Sequence, residues 1–178
     1  MKNEFVITDI SVNELRSILK PNDTVEIYTD GSCKGNPGPG GWGAILIFKN
    51  NRVTISGNDN KTTNNRMELI ATIRAIELIP ANVRIVIYTD STYVKNGVTT
   101  WLQSWKINNW KTKDNKPVKN IDLWLELENV IQHKNISWNW VKGHSECVNN
   151  NNADFIAKSA INNDIEGFRI NNDFKTNE

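Results

Sequence analysis

The tetrapeptide Ile-Tyr-Thr-Asp occurs twice in this chain, at residues 27–30 and 87–90, and constrains the fold more than any other feature of the sequence. Each copy ends an apolar, alternating segment and precedes a turn, which is the pattern of a buried strand. If the two strands are parallel neighbours, Asp30 and Asp90 leave the sheet side by side at the carboxyl ends of the strands, where α/β proteins bind ligands. Taken singly, either aspartate can also be an ordinary turn residue.

The order of the remaining periodic segments predicts a mixed sheet. Strands near residues 42–49 and 52–57 follow the first aspartate through short turns, so the first three strands are expected to pair antiparallel. Helical segments then alternate with strands near residues 83–90 and 136–141. The sequence therefore predicts an α/β fold whose five-stranded mixed sheet has three antiparallel strands, then parallel ones, and helices on both faces.

The chain divides into one main body and two ends. Residues 1–22 form an N-terminal extension, in which Ser11 can cap a short helix that Pro21 ends. A partner-binding role for this extension stays open. The main domain is expected over residues 23–163, and residues 164–178 form a polar tail. A length of 178 residues suits one such domain.

Composition and charge exclude several classes of protein. Lys and Arg number 21 against 20 Asp and Glu, so any basic surface must be local. Two cysteines cannot form a disulfide framework, which favours a reducing compartment. The first twenty residues do not have the pattern of a signal peptide, and no segment is apolar over the length of a membrane span. We therefore expect a soluble, cytoplasmic protein with no membrane partner.

Two further carboxylates lie on predicted helices. Glu68 shares a helical stripe with small and apolar residues and with no Lys or Arg, so its burial would require a cation or a shifted pKa. The helix can instead pack through another apolar face, which leaves Glu68 exposed. Asp154 stands in the first turn of the last helix, where the helix dipole also favours an acid. Clustered carboxylates without a set of Cys or His residues select Mg²⁺ or Mn²⁺ over Zn²⁺.

Five segments resemble, in their order and spacing, type 1 ribonuclease H of the bacterial HI form: YTDGSCKGNPGPGGWGAI, TTNNRMEL, IYTDSTYVKNGV, KPVKNIDLW and WVKGH. The resemblance covers residues 24–161. It implies the ribonuclease H-like fold and a monomeric endonuclease that hydrolyses the RNA strand of RNA–DNA hybrids to 5′-phosphate and 3′-hydroxyl ends, as in removal of RNA primers and R-loop RNA. It also implies two Mg²⁺ ions, which Mn²⁺ can replace. The implied metal ligands are Asp30, Glu68, Asp90 and Asp154, and the implied proton-shuttling or product-releasing loop histidine is His144.

The resemblance extends to substrate contacts. Asn36, Asn64 and Asn65 match family positions that touch the minor groove of the hybrid, and Thr92 stands where some relatives carry Gln. Residues 101–119 contain five Lys and one Asp, interleaved with Trp, and are similar to the family's basic protrusion, which binds the DNA strand. The expected contacts within this basic segment are Trp101, Trp105, Lys106, Lys111, Lys113 and Lys119.

Each of these assignments has a simpler alternative. Trp101 and Trp105 are spaced i, i+4 and can be core or helix-packing residues, while the lysines can form a solvated helix face. His144 can be an ordinary loop histidine, and residues 145–152 are expected to form a loop that lacks the usual Gly and Pro. The competing functions are a related nuclease or transposase-like enzyme and an inactive hybrid-binding module. The tryptophans assigned to the core are Trp124, Trp138 and Trp140.

Overall fold

A six-stranded mixed sheet forms the centre of the fold. The computed structural model describes residues 6–143 and 147–162 of the chain. The strands are β1 (Thr8–Asp9), β2 (Thr24–Cys33), β3 (Gly38–Phe48), β4 (Asn51–Thr62), β5 (Arg84–Thr89) and β6 (Ile136–Trp140). They stand in the order β1-β4-β3-β2-β5-β6, with antiparallel pairing only within β2, β3 and β4. The predicted mixed sheet is confirmed, and the additional sixth strand is the two-residue β1.

Helices pack on both faces of the sheet, as expected. They are α1 (Val12–Ile18), α2 (Asn64–Glu77), α3 (Thr92–Asn96), a π-helical turn (Gly97–Trp101), α4 (Leu102–Ile107), α5 (Ile121–Ile131) and α6 (Val148–Asn162). Consecutive residues of β3 point to opposite faces: Leu46 belongs to the core cluster that includes Leu69 of α2, whereas Ile45 packs with Ala153 of α6. None of the helices in the described part of the chain has both the length and the apolar character that a bilayer crossing requires.

The start of α6 differs from the sequence prediction. Residues 148–152 were expected to lie in a loop, but they form the first turns of this helix. Asparagine has a low helix propensity, which tertiary packing overrides here. Asn150 is 1% exposed, and the first turn closes through a hydrogen bond from the Asn151 amide to the Cys147 carbonyl.

The N-terminal segment is part of the sheet and of the core. β1 pairs in parallel with the start of β4, and Asp9 forms an ion pair of 2.6 Å with Arg52 of that strand. Ser11 caps α1 by accepting a hydrogen bond from the Glu14 amide at 3.0 Å, so the predicted capped helix is confirmed. Leu15 then points into the core and is 1% exposed. Residues 8–18 are therefore packed on the domain rather than separate from it.

Truncation of Leu15 tests this packing. We expect Leu15→Ala to lower the free energy of unfolding by about 2–4 kcal/mol, because it leaves a cavity where a fully buried side chain stood. Urea denaturation measures the change. Ile18→Ala is the matched control in the same helix, because Ile18 is 39% exposed and its truncation should cost much less. Equal and small losses for the two variants would show that α1 is not docked in solution.

Candidate active site

Three carboxylates converge where the carboxyl end of β5 lies beside β2. Asp30 lies in β2, Glu68 in α2, and Asp90 directly after β5, and one oxygen of each lies within 4.8 Å of the others. β2 and β5 are parallel neighbours in a register that pairs Thr29 with Thr89. The two copies of the tetrapeptide therefore bring their aspartates side by side, as the repeat predicts.

Glu68 is the most enclosed member of this cluster. Thr63 caps α2 by accepting a hydrogen bond from the Arg66 amide, and the first turns of the helix then carry Glu68 into the interior, where it is 4% exposed. Its Oε2 is buried and has no hydrogen-bond partner among the described residues. A buried carboxylate oxygen without a partner is costly unless a cation binds it or a proton neutralises it.

The pKa values of the three clustered carboxylates are all raised. Burial, followed by the negative charge of Asp90, raises the pKa of Asp30 to about 7. Burial and then the neighbouring charge of Asp30 raise the pKa of Glu68 well above its ordinary range. Burial and the charge of Asp154 also raise the pKa of Asp90. The three groups therefore resist simultaneous ionisation in the absence of a cation.

Asp154 adds a fourth carboxylate to the same cleft. The cleft has a volume of about 250 Å³, and its lining includes the three clustered acids, Asp154 and Lys158. Asp154 accepts a hydrogen bond of 2.9 Å from the ammonium of Lys158, one turn further along α6. The donor set is made of hard carboxylate oxygens, and with the unpartnered oxygen of Glu68 it fits a divalent cation such as Mg²⁺.

Asn150 is a cleft residue that the sequence analysis did not identify. It lines the same cavity and is 1% exposed, although Asn is usually a surface residue. Its spacing of four residues from Asp154 places both on one helix face, which is a detectable signal once the segment is read as helix. Lys158 continues that stripe by another four residues and was also not identified.

The segment that leads to His144 passes beside Asp90. A Cβ atom built on Gly143 would lie 3.2 Å from Oδ2 of Asp90. His144 itself lies outside the described residues, so its assigned role stays a prediction.

The four predicted minor-groove residues lie near the cleft or near its carboxylates. Asn64 lines the cleft, and its backbone amide donates to Oδ1 of Asn36 at 3.3 Å. Asn65 follows in the first turn of α2, and Thr92 begins α3 two residues after Asp90. Asn36, Asn64, Asn65 and Thr92 are all exposed, which makes them accessible to a ligand.

The basic segment, residues 101–119, packs through its tryptophans and exposes its lysines. The rings of Trp101 and Trp105 lie 6.5 and 5.2 Å from that of the fully buried Trp124, which is the core-packing arrangement. Both rings are half-buried, and contact with a substrate stays a prediction. Lys106 forms an ion pair of 2.7 Å with Glu128. The remaining predicted lysine contacts, Lys111, Lys113 and Lys119, are exposed.

The assignment of Trp140 to the core was wrong. Trp140 ends the edge strand β6 and is 45% exposed. Its Nε1 donates a hydrogen bond of 3.2 Å to the backbone carbonyl of Asp90, and the Lys95 ammonium lies 5.3 Å from its ring centroid. Alternation along a strand identifies a face but not whether another layer covers it, which explains the error. Trp138 is half-buried and packs against the core.

Comparisons with known proteins give one consistent result. A family model described as RNase H matches residues 22–162. The chain is 53% identical over 137 residues to the protein named Ribonuclease H of Ehrlichia ruminantium (77% of this chain, 94% of that protein) and 51% identical over 144 residues to that of Nitrosococcus oceani (81% and 98%). LC9-RNase H1, described as a type 1 RNase H with the type 2 active-site motif, is 32% identical, with a TM-score of 0.72 over 81% of this chain and 74% of that one. LC11-RNase H1, solved in complex with an RNA/DNA hybrid, is 23% identical with a TM-score of 0.59 over 78% of this chain and 96% of that one, and it supports the fold alone.

Proposed function

Because this chain belongs to the ribonuclease H family and is a hydrolytic endoribonuclease of type 1, we propose that it cleaves the RNA strand of RNA–DNA hybrids. The proposed products carry 5′-phosphate and 3′-hydroxyl ends. The proposed biological substrates are RNA primers and the RNA of R-loops, acted on by a monomer in the cytoplasm. The observation that carries the proposal is the cluster of three carboxylates, of which Asp30 and Glu68 are buried, with an unpartnered oxygen on Glu68.

The cofactors proposed for this site are two Mg²⁺ ions, with Mn²⁺ as a substitute. Asp30, Glu68 and Asp90 would hold them together with Asp154 on α6. When bound, such ions activate water and neutralise charge on the phosphate and the leaving oxygen. Release of Asp154 from its ion pair with Lys158 would make that carboxylate available as a ligand.

The chain's own residues orient the substrate and move protons. Asn64 lines the cleft, and Asn36 accepts a hydrogen bond from its backbone amide. Their side-chain amides are uncharged donors and acceptors, which suits 2′-hydroxyl and base-edge partners in a wide minor groove. Asn65 and Thr92 stand beside them as further proposed contacts. His144 is proposed to carry a proton at its imidazole or to ease product release, since its ordinary pKa lies near neutral pH.

Cleavage of defined duplexes tests the proposed function directly. The purified protein is incubated with labelled RNA–DNA hybrid, double-stranded RNA and double-stranded DNA, each with Mg²⁺ and with chelator. We expect cleavage only of the RNA strand of the hybrid and only with the metal ion. Ligation of the cleavage products then tests whether their 5′ ends carry the proposed phosphate. Efficient cleavage of duplex DNA would identify a general nuclease, and absence of hybrid cleavage would refute the proposal.

The lysines of the basic segment give a second test, of substrate binding. Lys111 and Lys113 are exposed, whereas Lys106 is already paired with Glu128. Replacing both Lys111 and Lys113 with Ala should raise the KM for hybrid and reduce the slope of log KM against log salt by about 1.4–1.8, because each lost phosphate contact removes about 0.7–0.9. kcat should stay nearly unchanged, because these contacts bind ground state and transition state alike.

A matched control removes two lysines near the amino end of β2, the end opposite to the carboxylates. Lys20 precedes β2 and Lys49 stands at the turn between β3 and β4, so both lie away from the carboxylates. The Lys20→Ala, Lys49→Ala protein should keep the KM and the salt slope of the wild type. If the two double variants behave alike, the basic segment is not a phosphate-binding surface.

A further inference from the structure

Arg66 joins the helix that carries Glu68 to the segment that follows the basic lysines. It stands in the first turn of α2, two residues before Glu68. Its guanidinium forms paired hydrogen bonds of 2.9 and 2.8 Å to the two carboxylate oxygens of Asp122, and a third, of 3.3 Å, to Oδ1 of Asn120. Asn120 and Asp122 lie at the start of α5, directly after Lys119, the last lysine of the basic segment.

Asn120 has an unusual conformation that frees its side chain for this contact. It occupies the N-cap position of α5 with a φ of 58°, in the left-handed region, and its side chain makes no capping hydrogen bond. An N-cap Asn normally uses its side chain to satisfy the first amides of its helix, and the left-handed region is itself unfavourable. Instead, its Nδ2 donates to the hydroxyl of Tyr93 at 3.0 Å. Both ends of the amide group are thus held by other elements.

Tyr93 completes a connection between the two ends of the basic segment. It belongs to α3, three residues after Asp90, and its hydroxyl also accepts a 3.0 Å hydrogen bond from Nε1 of Trp124. Its ring meets that of Trp101, the first residue of the basic segment, edge to face at 5.6 Å. Residues 101–119 are therefore fastened at their beginning through Tyr93 and at their end through Asn120.

The contacts of Arg66 indicate positioning rather than charge compensation. Within the described part of the chain, its guanidinium hydrogen bonds go to Asn120 and Asp122, and none goes to Asp30 or Glu68. The side chain of Asp122 is 61% exposed, and ion pairs of such exposure contribute little to global stability. What this pair does join is the start of α5, directly after the basic segment, and the first turn of α2.

We propose that Arg66 is a positioning residue that orders the basic segment against the catalytic end of α2, so that a hybrid bound along the segment meets the carboxylates in one register. The identity of the substrate in this proposal rests on the proposed function, whereas the ordering of the basic segment by Arg66 does not depend on it. Loss of Arg66 leaves the lysines present but mobile, so each binding event must order them again. A guanidinium is needed because an ammonium cannot form the paired contact with a carboxylate.

Arg74 supplies a matched control on the same pair of helices. It joins α2 to α5 through a 2.6 Å ion pair with Glu126, two turns beyond Arg66 and away from the carboxylates. We expect Arg66→Ala to raise the KM for hybrid about tenfold, with kcat and the salt slope nearly unchanged, since the phosphate contacts persist but must be ordered on binding. Arg74→Ala should leave the KM unchanged. Asp122→Ala should reproduce Arg66→Ala, and Arg66→Lys should recover only part of the lost affinity.

Amide hydrogen exchange of the full chain without substrate gives an independent measurement. The Val118 amide donates to the Trp110 carbonyl within the basic segment, so its exchange reports the order of that segment. We expect Arg66→Ala to speed this exchange about tenfold and Arg74→Ala to leave it unaltered. The inference is overturned if the Val118 exchange rate is unchanged in Arg66→Ala, or if Arg66→Ala and Arg74→Ala have equal KM values. It is also overturned if the salt slope of Arg66→Ala falls by about 0.7–0.9, because that result would make Arg66 a phosphate contact.

These measurements also separate the inference from the proposed function. If the wild-type protein neither binds nor cleaves hybrid, the proposed function fails, and hydrogen exchange in the same variants still decides whether Arg66 orders the segment. If Arg66→Ala does not fold, the comparison is made with Arg66→Lys and Asp122→Ala.

Discussion

The Asp30→Asn protein should fold normally and lose hybrid cleavage by about a thousandfold or more. Asp30 lies within 4.8 Å of two other carboxylates, at the point where acidic side chains from β2, α2 and the end of β5 meet and could hold the proposed metal ions. Metal ions of this kind supply several kcal/mol of transition-state stabilisation, and each 1.36 kcal/mol is a tenfold change in rate. Steady-state cleavage of labelled hybrid measures the loss, and circular dichroism verifies the fold. Turnover at the wild-type rate would remove Asp30 from the site.

The same substitution should stabilise the metal-free protein in a pH-dependent way. The pKa of Asp30 rises from 3.8 to about 7 on folding, so in this window the unfolded chain releases a proton that the folded chain retains. The free energy of unfolding therefore falls as pH rises between these two values. Asp30→Asn removes this loss and should be more stable than wild type by about 1–3 kcal/mol at pH 7.5, with little difference below pH 4. Urea denaturation in chelator at both pH values measures the difference, and a constant gain would contradict its origin in ionisation.

Gly31→Ala should impair activity and stability together, because no side chain fits between β2 and α2. A Cβ atom on Gly31 would lie 2.5 Å from the Glu68 amide nitrogen and 2.7 Å from the Met67 carbonyl carbon, both backbone atoms of α2. The helix must move away from the strand, which separates Glu68 from Asp30. We expect kcat/KM to fall about a hundredfold, as when catalytic groups shift by about 1 Å, and the free energy of unfolding to fall by about 1–3 kcal/mol.

Gly57→Ala is the control for overpacking without displacement of the site. A Cβ atom there would lie 2.6 Å from Nε1 of Trp42, which is a side-chain atom in β3. This variant should lose stability and retain the activity of the wild type, measured in the same assays. If Gly31→Ala also retains full activity, the spacing between β2 and α2 does not control the carboxylate cluster.

The carboxylate cluster was predictable because the same tetrapeptide, Ile-Tyr-Thr-Asp, ends two strands of the sheet. The two tetrapeptides place Asp30 and Asp90 at equal offsets along neighbouring strands, and the register of Thr29 with Thr89 confirms that pairing. Glu68 was predictable from the helical stripe that it shares with small residues. These signals are local and periodic, so a short window of sequence contains them.

Other parts of the fold depend on contacts that no short window contains. Trp140 alternates as a core residue would, and only the edge position of β6 leaves it exposed. Asn150 has a side chain typical of loops, and its burial follows from the packing of α6 over the cleft. β1 consists of two residues, too few for any period, and is specified by its pairing with β4.

The order of strands in the sheet means that the carboxylate cluster and Asp154 can assemble only after β5 and α6 have been synthesised. β2, β3 and β4 are consecutive and pair locally, but β5 must cross over to pair with β2. Asp90 directly follows β5, so it joins the cluster only when that pairing has formed. A growing polypeptide that has folded this first meander contains Asp30 without its partner sixty positions later. Asp154 follows on α6, after every strand of the sheet has been made. Long-range pairings of this kind form late, because closing the intervening loop costs entropy before any contact is gained. A chain interrupted before β5 therefore cannot assemble the carboxylate cluster on which the proposed cleavage depends.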